Sequence, residues 1–411
     1  MASANSVTEQ KSAKGGSPAL MLTLATIGFA VNFWAWALLS PLGSQFAEKL
    51  SLSAFQVSAF VAVPVIVGSL GRIPVGALTD KYGGRIMFPV VSVLTIIPVL
   101  FLGFLGQDSY ASLIIGGFFL GIGGTVFAVG VPYVNNWYPP EKRGTAIGIF
   151  GVGMGGTAIS ALTTVHLVKA GGSAFPFIIC AIALAIYAVV AWLLLRDAPG
   201  RVAPTSTLGE RLGKTVKLGT TWQACALYAT LFGGYVAFSV YLPTYLQTDY
   251  SLTAADAANR MAGFVILAVI MRPVGGFLSD KLGPIVVLTA CLIAVVAGAL
   301  GQATIPPLMP LSTICFLVMA AALGAGSGAT FALVAKVAPA EMVGSVTGVV
   351  GAAGGLGGFV PPLLMGAIYG ATGSYSIGFV LLAIVAGLVL LFLLTKIRSV
   401  YVATTGEAVK A

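Results

Sequence analysis

The stretch RIPVGALTDKYG runs from Arg72 to Gly83 at the end of an apolar segment, and a second copy, RPVGGFLSDKLG, runs from Arg272 to Gly283. Each copy opens on an arginine and closes on Asp-Lys-x-Gly, and the two copies lie 200 residues apart. This spacing predicts that the chain has two related halves. It also predicts that both halves carry an arginine at the same place of the same helix.

Both arginines lie inside apolar segments, where a charged side chain is costly. Arginine stays protonated at physiological pH, and at the centre of a membrane helix it costs about 2.5–3.5 kcal/mol. Asp80 marks the end of the segment eight residues after Arg72, which is ~12 Å along a helix and too far for the arginine to reach the surface comfortably. A cost accepted at equivalent places in both halves predicts an anion site between them.

The composition predicts a membrane protein. Hydrophobic residues make up 58% of the 411 residues and charged residues only 8%, whereas soluble proteins average about 25% charged residues. A segment of ~20 apolar residues can cross a bilayer. Twelve such segments begin near Leu20, Val57, Phe88, Leu113, Thr145, Ala174, Trp222, Ala262, Ile285, Leu311, Val346 and Ile377. We therefore predict an all-α membrane protein with twelve transmembrane helices arranged as two pseudo-symmetric six-helix bundles.

The predicted helices divide the chain into five parts: a polar N-terminus at 1–18, a first bundle at 19–195, a linker at 196–221, a second bundle at 222–398 and a tail at 399–411. An even number of helices puts both termini on one side. With that side cytoplasmic, 16 of the 21 Lys and Arg residues lie in cytoplasmic segments, and only Lys49, Lys169 and Arg260 lie outside. The positive-inside rule thus predicts a multi-pass protein of the cytoplasmic membrane with both termini cytoplasmic. The net charge of +9 follows from this orientation and does not imply nucleic-acid binding.

Within the linker, the segment from Leu208 to Leu218 is predicted to be amphipathic and to lie on the anionic leaflet of the bilayer.

Matches between the halves at the offset of 200 include several glycines, among them Gly151 with Gly351 and Gly155 with Gly355. Halves related by an axis along the membrane normal bind substrate near the midplane between them, so Arg72 and Arg272 are expected to face one cavity. The glycines permit close helix packing, and they also suit the wall of a narrow cavity. Both uses remain open at this point.

The acidic residues indicate how transport is coupled. All twelve Asp and Glu residues lie in loops or at the ends of predicted helices, and the single histidine, His166, lies toward the outer end of the fifth and is interpreted as structural. A proton-coupled carrier needs a titratable group within the membrane. Two facing arginines repel each other in an empty cavity, and an anion relieves that repulsion. The sequence therefore favours exchange of one anion for another.

Catalytic motifs are missing from the sequence. It has no phosphate-binding loop with a lysine, no Ser/His/Asp arrangement and no metal-ligand cluster. The four cysteines lie in apolar runs without paired spacing. We predict a protein that is not an enzyme and that uses no metal or other cofactor.

Two further sets of motifs resemble known families. The stretch GALTDKYGGR, residues 76–85, resembles the signature loop of the major facilitator superfamily. The stretches GSGATFALV (326–334), VTGVVGAAGGLGGF (346–359) and VAVPVIVGSLGR (61–72) resemble the nitrate/nitrite porter family within it, and this resemblance covers nearly the whole chain. It implies the major facilitator fold, transport of nitrate or nitrite by rocking of the two halves, and a monomer.

The same resemblance implies roles for individual residues. Arg72 and Arg272 would clamp the anion, and the rings of Phe127, Tyr228 and Phe232 would pack above and below it. Nitrate and nitrite are small and planar, so two of their oxygens match the fork of a guanidinium group. The four glycines named above would complete the substrate site.

The resemblance also implies a gate and shows a departure from the family. Asp80, Arg85 and Asp280 would close the cytoplasmic side, although the second copy has Ile285 in place of the arginine. The family signature of the fifth helix carries an asparagine near the substrate, whereas this chain has Met154 at or beside that place. This change removes one hydrogen bond to the anion and leaves open whether nitrate or nitrite is preferred.

We therefore predict a nitrate/nitrite exchanger or nitrite exporter. A proton-coupled nitrate symporter is one alternative. An exchanger of small organic anions such as dicarboxylates is another, because two arginines balance a dianion better than a monoanion. A receptor that binds the anion without transporting it is the alternative outside transport.

Overall fold

The computed structural model describes residues 16–199, 208–338 and 342–406, and the regular elements in these ranges are helices. The N-terminal part, the linker and the tail of the predicted division lie partly outside these ranges. Twelve helical stretches are long and apolar enough to cross a bilayer, which confirms the predicted number. Spans 1 to 6 are Pro18–Leu50, Ala54–Tyr82, Gly84–Phe104, Tyr110–Trp137, Ala146–Gly171 and Phe175–Leu194. Spans 7 to 12 are Gly219–Tyr250, Ala254–Leu282, Pro284–Ala303, Leu308–Val337, Ser345–Thr372 and Ser376–Thr405.

Span 8 begins earlier than its hydropathy suggests, at Ala254 rather than near Ala262. Its first turns are polar, with Asp256 and Arg260 forming an ion pair of 3.6 Å one helical turn apart. The side chain of Thr253 accepts a hydrogen bond from the backbone N–H of Asp256 and caps the helix. Capping extends the helix into a segment that is too polar to be recognised as membrane-spanning.

Prolines and glycines divide several spans into shorter helices. In span 2 the helices are Ala54–Ala62, Pro64–Leu70 and Arg72–Tyr82. Proline lacks the N–H that would bond to the preceding turn, and a methyl group on Gly71 would collide with the carbonyl of Val67 and the side chain of Thr125. Arg72 therefore follows directly after a break. Span 5 has a similar break, a short 3₁₀ helix at Val152–Gly155 between Pro140–Gly151 and Gly156–Gly171.

Other interrupted spans are span 1 (Pro18–Trp36, Ser40–Leu42, Gly43–Leu50), span 4 (Tyr110–Leu120, Gly121–Thr125, Val126–Trp137), span 10 (Leu308–Ser312, Thr313–Val337), span 11 (Val343–Gly357, Val360–Thr372) and span 12 (Ser376–Phe392, Leu393–Ile397, Arg398–Thr405).

The sequence repeat is also a structural repeat. Spans 2 and 8, Ala54–Tyr82 and Ala254–Leu282, begin and end at the same offset of 200. Each is followed by a glycine with positive φ, 86° at Gly83 and 89° at Gly283, a conformation that glycine adopts without steric cost. These two glycines turn the chain directly into spans 3 and 9.

The connections between spans define two faces. The linker face carries Gly83, Gly283 and the linker helix Leu208–Val216, which coincides with the segment predicted to be amphipathic. The opposite face carries the connections after spans 1, 3, 5, 7, 9 and 11. The linker helix is tied to span 11, because the hydroxyl of Thr215 donates a hydrogen bond of 2.9 Å to Ser345.

Two equivalent pairs of spans join the halves. Span 2 packs against span 11, and span 8 packs against span 5. Since Arg72 lies in span 2 and Arg272 in span 8, each arginine is positioned against a helix of the other half.

Candidate functional site

Arg72 is buried at the junction of the two halves, with only 6% of its surface exposed. Its Nη1 donates a hydrogen bond of 2.6 Å to the carbonyl oxygen of Gly351 in span 11. Its Nε donates a longer one, 3.4 Å, to the carbonyl of Gly124 in span 4. The guanidinium carbon lies 5.1 Å from the centre of the Phe127 ring, within cation–π range. Both half-bundles therefore stabilise this charge.

Arg272 has an equivalent position in the second half and is 5% exposed. Its Nη1 lies 3.2 Å from the sulfur of Met154 in span 5, and its Nη2 donates a hydrogen bond of 2.9 Å to the hydroxyl of Tyr228. Three rings surround its guanidinium carbon, those of Tyr228 at 5.9 Å, Phe232 at 5.5 Å and Phe331 at 5.9 Å. This arginine has more aromatic and fewer carbonyl contacts than Arg72.

One ring is shared by the two arginines. The centre of the Phe232 ring lies 5.9 Å from the guanidinium carbon of Arg72 and 5.5 Å from that of Arg272. Phe232 stacks in parallel on Tyr228, with ring centres 4.7 Å apart and an interplanar angle of 1°. The structure thus brings together both arginines and the aromatic residues Phe127, Tyr228 and Phe232 that the sequence had singled out.

A cavity of about 430 Å³ extends from Arg72 and Phe127 to the linker face, where Asp80, Leu212 and Ser345 are among the residues that line it. Arg272 is not among the residues that line this cavity, which differs from the expectation that both arginines face one cavity. The cavity gives a small solute a route from one face of the protein to the first arginine.

The opposite face is closed by contacts between spans of the two halves. The hydroxyl of Ser40 in span 1 donates a hydrogen bond of 2.5 Å to the carbonyl of Val240 in span 7. One turn further out, Ser44 donates one of 2.6 Å to the side-chain oxygen of Gln247. The molecule is therefore open toward the linker face and closed toward the opposite face.

The four glycines of the predicted site differ in their surroundings. The carbonyl of Gly351 binds Arg72, and a methyl group on Gly151 would lie 3.6 Å from Nε of Arg272. A methyl group on Gly155 would meet no atom within 4 Å. On Gly355 it would collide with the hydroxyl of Ser69, so the small size of this glycine lets spans 2 and 11 pack closely.

The three predicted gate residues lie at the linker face. Asp80 is half-buried and lines the cavity together with Ser345 at the start of span 11. Arg85 has an exposed side chain, and its backbone N–H donates a hydrogen bond of 3.2 Å to the carboxylate of Asp197. Asp280 is exposed. Gating by these residues remains a prediction.

Three contacts of the arginines were not predicted, one with the Phe331 ring and two with backbone carbonyls. Phe331 lies in one of the motifs used for the family resemblance, but nothing in its sequence context distinguished it from a packing residue. The carbonyl acceptors of Gly124 and Gly351 are backbone atoms, which residue type does not reveal.

Comparisons with known proteins agree with this architecture. The family model of the Major Facilitator Superfamily matches residues 25–362 and, in a second match, 224–409. A solved structure of a bacterial homolog of the human lysosomal transporter Spinster, in an inward-facing and occupied conformation, has a TM-score of 0.72 at 19% identity and covers 93% of this chain and 98% of its own. That likeness concerns the fold alone.

Similar sequences point to one branch of the superfamily. The probable nitrate/nitrite transporter NarK2 of Mycobacterium tuberculosis is 48% identical over 89% of this chain and 93% of its own. The nitrite extrusion protein of Bacillus subtilis is 36% identical over 89% and 91%. The probable nitrate transporter NarT of Staphylococcus carnosus is 34% identical over 93% and 97%. With two similar halves of six spans and matches of this extent, the chain belongs to the nitrate/nitrite porter family of the Major Facilitator Superfamily.

Proposed function

We propose that this protein carries nitrate and nitrite across the cytoplasmic membrane by alternating access and exchanges one anion for the other. It is a transporter and not an enzyme. The observation that carries the proposal is the pair of buried guanidinium groups, one from each half, that both lie close to the Phe232 ring, at 5.9 and 5.5 Å from its centre. The similar proteins of Mycobacterium tuberculosis and Bacillus subtilis are named for nitrate and nitrite transport and for nitrite extrusion, which supports these anions as the substrate class.

The two arginines and the three aromatic rings around them suit a small planar anion. A guanidinium group presents parallel N–H donors that match two oxygens of a planar anion. In our proposal Arg72 and Arg272 bind the anion from opposite halves, and the rings of Phe127, Tyr228 and Phe232 limit its thickness. The bare backbone of Gly151, Gly155 and Gly351 leaves room for a small ligand, and Gly355 lets spans 2 and 11 pack closely beside it.

The proposed cycle begins from the conformation described above. The linker face is cytoplasmic in this proposal, because the positive-inside rule puts most Lys and Arg residues there. An anion enters through the cavity to Arg72, and the halves then rock about the site. Opening of the opposite face separates Ser40 from Val240, while Asp80, Arg85 and Asp280 close the linker face.

Several further parts of the proposal follow from the sequence. The two bundles comprise residues 19–195 and 222–398, both termini are cytoplasmic, and the working unit is a monomer in the lipid bilayer. Neither nucleic acid nor a metal or other cofactor takes part. His166, whose side chain is exposed in span 5, has no role in the cycle.

Exchange is favoured over proton symport by the surroundings of the arginines. No Asp, Glu or His side chain is among the hydrogen-bond or ring contacts that the structure gives the guanidinium groups of Arg72 and Arg272. With no titratable carboxylate against either arginine, a bound proton has no evident way to offset their charge, whereas a second anion does.

The proposal is tested with purified protein in proteoliposomes. Uptake of labelled nitrate is measured into vesicles loaded with nitrite, nitrate or neither anion, with and without a pH gradient. Uptake that requires an internal anion and ignores the pH gradient is the expected result. Uptake into empty vesicles driven by an inward proton gradient would establish symport instead. Competition by oxalate but not nitrite would favour the organic-anion alternative, and binding without uptake would indicate a receptor.

The site is tested by Arg72→Ala and Arg272→Ala, each of which should abolish exchange in a protein that still folds. Arg260→Ala is the matched control, because Arg260 lies in the same span as Arg272 but forms an ion pair with Asp256 at the opposite face. It should retain exchange. Near-normal nitrate flux in Arg272→Ala would refute the assignment of the site.

A further inference from the structure

The two arginines use different acceptors from the opposite half. Nη1 of Arg72 donates to a backbone carbonyl at 2.6 Å, and Nη1 of Arg272 points to the thioether sulfur of Met154 at 3.2 Å. A carbonyl oxygen is a good acceptor for a charged donor, whereas a thioether sulfur is a weak one. Span 11 therefore binds Arg72 more strongly than span 5 binds Arg272.

Met154 is held firmly in this position. Its side chain is 1% exposed, and its backbone carbonyl accepts hydrogen bonds from Thr157 at 3.1 Å and from Tyr235 of span 7 at 3.5 Å. The hydroxyls of Thr157 and Tyr235 are themselves 3.1 Å apart. A contact between the halves thus fixes the 3₁₀ segment that presents the sulfur to Arg272.

The position of Met154 has a consequence for the arginine clamp. The cavity from the linker face reaches Arg72 and not Arg272, so an anion that enters meets one arginine while the other is bound to Met154 and Tyr228. The hydroxyl of Tyr228 can accept from Arg272 and donate its proton to an anion, but a thioether has no proton to donate. The Tyr228 hydroxyl can therefore keep its contact with Arg272 when the anion binds, whereas an anion that takes the Nη1 donor now directed at Met154 displaces the sulfur.

We propose that the Met154 thioether is a competing acceptor that holds Arg272 in the empty site and is displaced from Nη1 by the anion. Met154 is then a positioning residue that sets anion affinity through Arg272. A weak acceptor keeps the buried guanidinium group satisfied between turnovers and still releases it readily. This inference rests on the proposed transport of nitrate and nitrite.

The test is the kinetics of nitrate-for-nitrite exchange by Met154→Leu in proteoliposomes. Leucine has nearly the volume of methionine, so the substitution preserves packing and removes only the acceptor. The anion no longer competes with the sulfur, and KM should fall by about threefold to tenfold, the equivalent of one net hydrogen bond. The maximal rate should fall as well, because release of the anion becomes slower.

Met154→Ile is a second variant that lacks the acceptor. Its side chain also has no sulfur, so KM should again fall below the wild-type value. Met319→Leu is the control for loss of a buried methionine, because Met319 lies in span 10, is 0% exposed and packs on Gly298. It should leave KM unchanged. A residue that served packing alone would give Leu and Ile variants with reduced rates and no fall in KM.

The outcomes separate this inference from the proposed function. Wild-type protein that exchanges nitrate for nitrite, together with an unchanged or raised KM in Met154→Leu, would refute the role of Met154 alone. If the Leu variant does not fold, an unchanged or raised KM in Met154→Ile would refute it equally. Wild-type protein without any exchange would refute the proposed function, and the inference with it.

Discussion

Substitution of Arg272 by lysine separates the charge of this residue from its shape. Lysine keeps the positive charge but has a single ammonium group in place of the planar fork. In the structure the two Nη atoms of Arg272 have different partners. Nη2 lies 2.9 Å from the hydroxyl of Tyr228, and Nη1 lies 3.2 Å from the sulfur of Met154. An ammonium group cannot maintain the first contact and also present two parallel donors to an anion.

The expected loss follows from one missing hydrogen bond to a charged partner. Such a bond contributes about 1.5–3 kcal/mol. Because 1.4 kcal/mol corresponds to a factor of ten, KM for nitrate should rise about 10-fold to 150-fold. The assay is the concentration dependence of nitrate-for-nitrite exchange, with the amount of inserted protein measured in the same vesicles.

The control for this substitution is Arg260→Lys in the same span, which should leave KM within about twofold of wild type since an exposed ion pair contributes only ~0–1 kcal/mol. A KM for Arg272→Lys within about threefold of the wild-type value would refute the reasoning. The anion would then be held by net charge alone, and the geometry of the fork would have no part in recognition.

Three further substitutions test other contacts of the proposed site. Phe232→Leu removes the ring shared by both arginines, and since each cation–π contact contributes about 0.5–2 kcal/mol, KM should rise at least about fivefold with a lower melting temperature in detergent. Tyr228→Phe keeps the stack on Phe232 but loses the hydroxyl that can donate to the anion, so KM should rise by about 10-fold or more, the range for one hydrogen bond to a charged group; an unchanged KM would count against that hydroxyl. Gly355→Ala should destabilise the protein by about 1–3 kcal/mol through overpacking against Ser69, as measured by thermal unfolding, and Ser69→Ala in the same chain should restore part of the loss if this collision is the cause.

The sequence predicted the fold well because its strongest signals concern single helices. Apolar length identified the twelve spans, and the largest displacement of a start was in span 8, at Ala254 rather than near Ala262, since the polar turn around Asp256 and Arg260 is helical through capping rather than hydropathy. The offset of 200 predicted that Arg72 and Arg272 face one cavity. Their shared contact with Phe232 places the two arginines close together, but only Arg72 is among the residues that line the cavity open to the linker face. A cavity shared by both arginines stays a prediction.

Other features depend on tertiary packing that residue type does not specify. The acceptor of Arg72 is the carbonyl of Gly351, and any residue at that position would have a carbonyl. Gly355 and Gly351 belong to one glycine-rich run, yet the first serves packing on Ser69 and the second contacts an arginine. The face on which the halves close is decided by hydrogen bonds such as that from Ser40 to Val240, and small polar residues of this kind occur throughout the chain.

The contacts of the arginines also bear on why the proposed cycle would be an exchange. In the empty protein Arg72 donates to span 11 and Arg272 to span 5, so both buried charges are satisfied across the interface between the halves. Rocking the halves without an anion would break these contacts, at a cost of about 1.5–3 kcal/mol for the contact to the carbonyl and less for the contact to the weak thioether acceptor. These losses would slow reorientation of the empty protein by at least about tenfold. A bound nitrate or nitrite supplies oxygen acceptors to both guanidinium groups and moves with them. The loaded protein therefore avoids this cost and reorients, whereas the empty protein reorients slowly until another anion binds.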